Sequence, residues 1–287
     1  AKAKDDAPRL ALAERAAERG LINAATLAAA YRATPFPPET IATASSSTET
    51  GVRLHALLYQ VALQEKMPAD RLNDTTKFVQ NASAALLNGS GGVLAEMVGD
   101  IKPKDSFNGV SARAAHIYLL AGKQDAEKEW IKQAKHAAIG MPPVAAALHD
   151  IWPLAVVSGV ESESDFGLGI GKWLDEELKT SRDRALSALL VFDAAGFSVS
   201  DDLWARAAGV SVFEKRLVPP AFLTERFNAA STDNRRGETV LLGLLMTGSG
   251  NDASLSVTLD VIRGLRAVGL NADAAALARE TANILSS

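Results

Sequence analysis

Four glycines constrain this chain more than any other feature, because each of them separates two short helical patterns. An apolar helical pattern ends at Gly20, Gly122, Gly196 or Gly269, and a new pattern begins shortly afterwards. Glycine readily adopts the positive φ at which many helices end. Two helices joined by so short a link pack antiparallel. The sequence therefore predicts an all-α fold, an irregular α-solenoid of stacked antiparallel helix hairpins.

The C-terminal stretch 236–285 is the clearest example of this plan and predicts three helices. The apolar residues of its first helix recur at i, i+1, i+4 and i+5, and this spacing predicts that the helix buries one face. That face consists of Val240, Leu241, Leu244 and Leu245, and Leu242 and Met246 widen it, so the helix is expected to be largely covered. The last helix, from Asn271 to Leu285, is expected to cap the stack.

Glycines also occur inside predicted helices, at Gly243 and Gly264. A glycine in a helix interior costs about 1 kcal/mol relative to alanine. It is either tolerated at a solvated position or needed for close approach of another helix, and we favour close approach. The glycine-rich run at 88–92 is interpreted differently, as the most flexible stretch of the chain by composition.

The composition narrows the class of protein and of partner. Of the 287 residues, 47% are hydrophobic but only 6% are aromatic, which suits closely packed alanine-rich helices better than a β-sandwich. The 34 acidic residues outnumber the 30 basic ones, so no electrostatic argument supports a nucleic-acid partner. No apolar run reaches about eighteen residues, so no transmembrane segment is predicted.

The absence of cysteine excludes further classes of chemistry. Disulfide scaffolds, zinc–thiolate sites, thiol nucleophiles and iron–sulfur clusters all need cysteine, and this chain has none. Because an unpaired thiol is a liability in an oxidising compartment, a cysteine-free sequence favours the periplasm of the bacterial cell envelope. The cytoplasm is the alternative.

The segment AAHIYLLAGKQDAEKEWIKQAKHAA (114–138) resembles a degenerate tetratricopeptide-type hairpin, with Gly122 at the turn and Ala126 four residues later. The chain is also similar to the alanine-rich helical superhelices of bacterial soluble lytic transglycosylases, although their catalytic domain has no counterpart here. The glycine spacing does not follow the tetratricopeptide period of about 34 residues. These resemblances imply a curved stack of helix pairs that serves for binding.

The residues that could carry catalysis or hold a cofactor or metal do not form a recognised pattern. No two of His55, His116, His136 and His149 stand at i, i+3 or i+4, as two ligands on one helix face would. Weak calcium binding by the acidic stretch 161–165 is conceivable, but a solvated acidic loop is favoured. The sequence therefore predicts no catalytic, cofactor-binding or metal-binding residue.

The glycine-rich stretch 167–172 suggests a phosphate loop but departs from that motif. Phe166 stands where a P-loop has its first glycine, Trp173 stands where it has Ser or Thr, and no strand precedes it. Gly167, Gly169 and Gly171 are instead predicted to form a flexible hinge. The polar loop 158–165 just before it marks the boundary between an N-terminal helical half (1–160) and a C-terminal helical half (161–287) of one continuous solenoid.

The four tryptophans are the remaining candidates for a binding surface. Trp130, Trp152, Trp173 and Trp204 either line a ligand groove or fill gaps in the alanine-rich core. With no converging chemistry, the function hypothesis is a non-enzymatic scaffold or adaptor that binds a protein, a peptide or a cell-envelope component such as peptidoglycan. The alternatives are a non-catalytic helical domain or regulator of a peptidoglycan-acting enzyme, and a helical protein that binds a small molecule in a cavity lined by these tryptophans.

Overall fold

The computed structural model describes residues 3–44, 47–208, 219–248 and 253–285, and in this part of the chain it contains seventeen α-helices and no β-strand. The all-α prediction is confirmed. The helices are α1 (Ala3–Glu18), α2 (Ala24–Arg32), α3 (Pro38–Ala42), α4 (Gly51–Gln64), α5 (Pro68–Asn81), α6 (Ala84–Gly89), α7 (Gly91–Val98), α8 (Ser111–Ala121), α9 (Gln124–Ala138), α10 (Pro142–Val157), α11 (Glu163–Thr180), α12 (Arg182–Ala195), α13 (Asp201–Ala207), α14 (Ala221–Thr232), α15 (Arg236–Thr247), α16 (Leu255–Ala267) and α17 (Asn271–Leu285). A 3-10 helix at Asp105–Val110 precedes α8. None of the described helices is both long and apolar enough to cross a membrane.

The chain forms two compact units, unit 1 (Ala1–Ile151) and unit 2 (Trp152–Ser287). The division between them falls within α10. The boundary predicted from the polar loop lies a little later, between residues 160 and 161. Each unit has its own buried core, and the two are described separately below.

Unit 1 is organised around an aromatic and aliphatic core contributed mainly by its first seven helices. The rings of Tyr31 and Tyr59 lie 5.6 Å apart, and the ring of Phe78 lies 6.2 Å from that of Tyr31. The hairpin formed by α8 and α9 follows, and Gly122 ends α8 in the left-handed conformation with φ +67°. This confirms the predicted helix–glycine–helix turn at residue 122.

The glycine-rich run 88–92 is helical and closely packed, so the prediction of a flexible stretch was wrong. A Cβ atom built on Gly89 would lie 2.4 Å from the carbonyl oxygen of Ala17. A Cβ on Gly91 would lie 2.9 Å from the carbonyl oxygen of Leu120. These glycines allow α6 and α7 to approach the backbone of neighbouring helices, which a residue with a side chain would prevent.

Unit 2 has a core of stacked aromatic rings. The ring of Trp152 lies 5.5 Å from that of Trp173 and 6.0 Å from that of Phe166. Phe192 meets Phe166 edge to face at 5.2 Å, the geometry that the ring quadrupoles favour. These four rings thus form one aromatic cluster in the core of unit 2.

Within unit 2, α16 is the central helix of the C-terminal part and packs against α12, α14, α15 and α17. The predicted helix ends at Gly196 and Gly269 are confirmed, since their φ angles are +96° and +76°. By contrast, α15 packs closely only against α14 and α16 within the described residues. Among the described residues it therefore lies at the edge of unit 2, with one side covered and the other side exposed.

Candidate functional site

The covered side of α15 carries Thr239, Gly243 and Met246. The ring of Phe227, on α14, lies between Gly243 of α15 and Gly264 of α16. A Cβ on Gly243 would lie 3.2 Å from Val261 Cγ1 and 3.5 Å from Phe227 Cε2, and one on Gly264 would lie 2.3 Å from Phe227 Cζ. The side of α15 that carries Gly243 therefore faces inward, against α14 and α16.

Four of the large apolar residues of α15 point outward. Val240, Leu241, Leu244 and Leu245, here called the leucine face, are 38%, 63%, 63% and 60% exposed. The prediction that this face is buried was wrong. The expected burial of Met246 is confirmed, but Met246 shares the buried side of the helix with Thr239 and Gly243 and not with the four residues of the leucine face.

The chemistry of the leucine face is uniform. No charged side chain lies among its four members, and the charged residues of α15 are confined to its first turn, at Arg236 and Glu238. Glu238 accepts hydrogen bonds from Arg226 and Arg235, which fixes this charged end. Soluble monomers rarely expose a contiguous apolar patch larger than a few hundred Å², and such patches mark interaction sites.

The tryptophans do not supply a comparable surface. Trp130 is fully buried in unit 1, where its ring stacks on Tyr118 at 5.9 Å and its indole N–H donates to the carbonyl oxygen of Ile101. Trp173 is buried in the ring cluster of unit 2 together with the half-buried Trp152. Trp204, on α13, is half-buried. The two fully packed rings cannot contact a ligand in this conformation.

The glycines at 167, 169 and 171 all lie inside α11, a continuous helix, and not in the elbow between helices that the sequence predicted. Gly169 makes room for a ring, since its Cβ would lie 3.2 Å from Cζ2 of Trp152. The acidic stretch before it begins the helix. Ser162 accepts from the backbone N–H of Asp165, and the Asp165 side chain accepts from that of Ser162, which completes a capping box.

A buried polar cluster in unit 1 was not predicted. The Tyr31 hydroxyl donates to Oε1 of Glu14 at 2.8 Å, and Nδ1 of His55 lies 2.8 Å from the same oxygen. Burial lowers the pKa of His55, but the hydrogen bond and the negative charge of Glu14 outweigh it, so this pKa is raised above its usual value. No local pattern could reveal the cluster, because its members come from α1, α2 and α4.

The histidines and carboxylates of the described residues include no group of three or more that could hold a metal ion. Nδ1 of His55 pairs with the carboxylate of Glu14 in the core. Weak calcium binding at 161–165 therefore has no support from a cluster of oxygen ligands. The capping role of Asp165 accounts for one of the acidic residues there.

Unit 1 also has an acidic cleft of about 440 Å³ between α3, α4 and α5. Glu65 accepts hydrogen bonds from the backbone N–H groups of Lys66 and Met67, and Asp74 pairs with Lys77 at 3.2 Å. Burial raises the pKa of Asp74, and the charge of Lys77 partly offsets this. Two carboxylates of the cleft, Glu65 and Asp74, are thus occupied by contacts with neighbouring residues of the same segment. The leucine face is therefore the stronger candidate for a functional site.

Comparisons with known proteins do not assign this chain to a family. No protein-family model, no curated protein and no solved structure matches it. The geometry of the described residues is therefore the basis for proposing a function.

Proposed function

We propose that this protein is a non-enzymatic scaffold or adaptor whose leucine face binds the apolar side of a helix in a partner protein. The exposure of Val240, Leu241, Leu244 and Leu245 on one edge helix carries the proposal. An apolar helix face in water is costly, at about 25 cal/mol for each Å² left exposed. Covering it with another apolar helix face recovers this free energy.

A helix is the partner that fits this surface best. Two helices pack by placing the side chains of one into the grooves of the other, at an interaxial distance of about 8–10 Å. The leucine face offers four side chains within two turns, which is the i, i+4 pattern that helix recognition uses. A polar glycan would need exposed hydrogen-bonding groups or rings, and the leucine face has neither.

We further propose that the helix hairpins stack as an irregular, tetratricopeptide-like α-solenoid and that the protein acts in the periplasm. The hairpin of α8 and α9, with its turn at Gly122, supports the first proposal. The cysteine-free sequence supports the second.

Site-specific photo-cross-linking in cells that make the protein tests the proposed function. A photoreactive residue is placed at Leu244, and a matched control carries it at Leu168, an 85% exposed leucine on α11. We expect a specific adduct from residue 244 that residue 168 does not give. Mass spectrometry of the adduct should place the partner's cross-linked residue on the apolar side of a helix.

A second variant makes this test independent of the cross-linker. Leu241→Glu places a carboxylate in the middle of the leucine face and should abolish the adduct from residue 244, because an unpaired charge is costly to bury. Equal adducts from residues 168 and 244, or an adduct that survives Leu241→Glu, would count against the leucine face as a binding surface.

A further inference from the structure

We infer that the helix which covers the leucine face is α15 of a second copy of this chain, paired antiparallel across a two-fold axis. This inference rests on the proposed function and names its partner. Three features of α15 support a second copy: the symmetry of the leucine face, the positions of the charges and the area that two such faces would cover.

The leucine face is symmetric about its own midpoint. Reversing the direction of α15 exchanges Val240 with Leu245 and Leu241 with Leu244. Each of the four positions is therefore still occupied by a large apolar residue after the reversal. A two-fold dimer places the same patch on both subunits and therefore needs a surface that fits itself. Leu241 and Leu244 lie on either side of the midpoint, and the axis would pass between them.

The charges of α15 favour the antiparallel arrangement. Arg236, Glu238 and the cluster around them lie at the N-terminal end of the helix, whereas the C-terminal end carries Met246 and Thr247. An antiparallel pair keeps the two charged ends apart and sets each positive helix N-terminus beside a negative C-terminus. A parallel pair would bring the two copies of Arg236 together.

The area of the leucine face is sufficient for a weak but specific dimer. Two short helices packed face to face cover on the order of 1,000 Å² in total, the low end for specific interfaces. We therefore expect a dimer that dissociates in roughly the micromolar range. Outside this face, the exposed leucines of the described residues stand on separate helices or turns and offer no comparable stripe: Leu12, Leu21, Leu63 and Leu168.

Sedimentation velocity of the full chain over a range of concentrations tests the dimer. We expect the wild-type protein and the Leu168→Glu control to dimerise alike, and Leu244→Glu to weaken dimerisation by roughly 100-fold or more, since each interface would bury two unpaired carboxylates. The milder Leu244→Asn variant should have an intermediate effect. A wild-type protein that stays monomeric at high concentration, or a dimer unaffected by Leu244→Glu, overturns the inference.

Single cysteines test the arrangement, because the chain contains no other cysteine. Leu244→Cys lies close to the proposed axis and should form a disulfide with its own copy. Gly237 lies on the same side of α15 as Leu241 and Leu244, and a side chain added there would have no neighbour within 4 Å. It stands about 8 Å along the helix from the midpoint of the leucine face. In an antiparallel pair its two copies are too far apart for a disulfide, which needs Cα atoms within about 7 Å.

The two cysteine variants separate the arrangements. Cross-linking of Leu244→Cys without cross-linking of Gly237→Cys supports the antiparallel pair. Efficient cross-linking of both variants indicates a parallel pair and overturns the inference. A monomeric protein that still gives a specific adduct to another protein from residue 244 refutes the second copy and leaves the proposed function standing.

Discussion

The ring of Phe227 occupies the space directly above Gly264, where a Cβ atom would lie 2.3 Å from the ring carbon Cζ. The close-approach interpretation of Gly264 is thereby confirmed, with an aromatic ring from α14 as the neighbour. The same ring reaches Gly243 of α15. Phe227 and Val261 thus pack against the inward side of α15, and the leucine face points outward.

Gly264→Ala should therefore destabilise unit 2. Although alanine is the better helix former, the added methyl group would overlap the Phe227 ring, and overpacking of this kind costs about 1–3 kcal/mol. The change is measured by urea denaturation followed by tryptophan fluorescence, which reports mainly on unit 2 because three of the four tryptophans lie there.

The matched control for Gly264→Ala is Gly237→Ala, in the first turn of α15, where a new Cβ has no neighbour within 4 Å. It should be neutral or stabilising by up to about 1 kcal/mol. Phe227→Leu, which shortens the ring, should recover part of the loss in a Gly264→Ala background. Equal stabilities of the two alanine variants would refute the packing of Phe227 on Gly264.

In unit 1, Gly89→Ala should lower the free energy of unfolding by more than about 3 kcal/mol. The added Cβ would lie 2.4 Å from the backbone oxygen of Ala17, which cannot rotate away. Hydrogen exchange of α1 and α6 should accelerate. The control Gly167→Ala, at open space in α11, should leave exchange in its helix unchanged or slower. A run that behaved as a flexible loop would tolerate alanine at residue 89 without loss.

The parts of the fold that the sequence predicted depend on local chemistry. A helix end at Gly122, Gly196 or Gly269 needs a positive φ, and glycine at the end of an apolar pattern indicates that requirement directly. The pairing of the helices on either side of these turns was predicted from the shortness of the connecting segments alone. For the same reason the hairpin of α8 and α9 was predicted to within a few residues.

The parts that the sequence could not predict depend on neighbours far away along the chain. A glycine permits flexibility, a positive φ or the close approach of another segment. At residue 89 it permits close approach, because the backbone of Ala17 lies against it. Similarly, the apolar stripe of α15 was found by its periodicity, but the side that faces inward is the one that packs against Phe227 of α14 and Val261 of α16. Hydrophobicity alone favours burying leucines, so these tertiary neighbours are needed to recognise the exposed surface.

The pair of Glu14 and His55 should make the stability of unit 1 depend on pH. The pKa of His55 is raised in the folded protein, so the folded state binds this proton more tightly than the unfolded chain does. The resulting stabilisation is fully present below the unfolded pKa of about 6.5 and is lost as the pH rises through the folded value. We expect the free energy of unfolding to fall over this range.

His55→Gln should reduce this pH dependence, because glutamine keeps a polar side chain near Glu14 but does not titrate. Urea denaturation at several pH values between about 5.5 and 8.5 measures the effect. His136→Gln, at an exposed position on α9, serves as the control and should show the same pH dependence of the free energy of unfolding as the wild type. A steeper loss of stability in His55→Gln than in the wild type would contradict the assignment.

The most direct test of the account compares Leu244→Ala with Met246→Ala by urea denaturation at a concentration low enough to keep the protein monomeric. Met246 is 5% exposed and Leu244 is 63% exposed on the same helix. We predict that Met246→Ala costs about 2–4 kcal/mol, as expected for a core residue, and that Leu244→Ala costs less than about 1 kcal/mol. The reverse order, with Leu244→Ala the more destabilising change, would place the leucine face in the core and contradict the proposed binding surface.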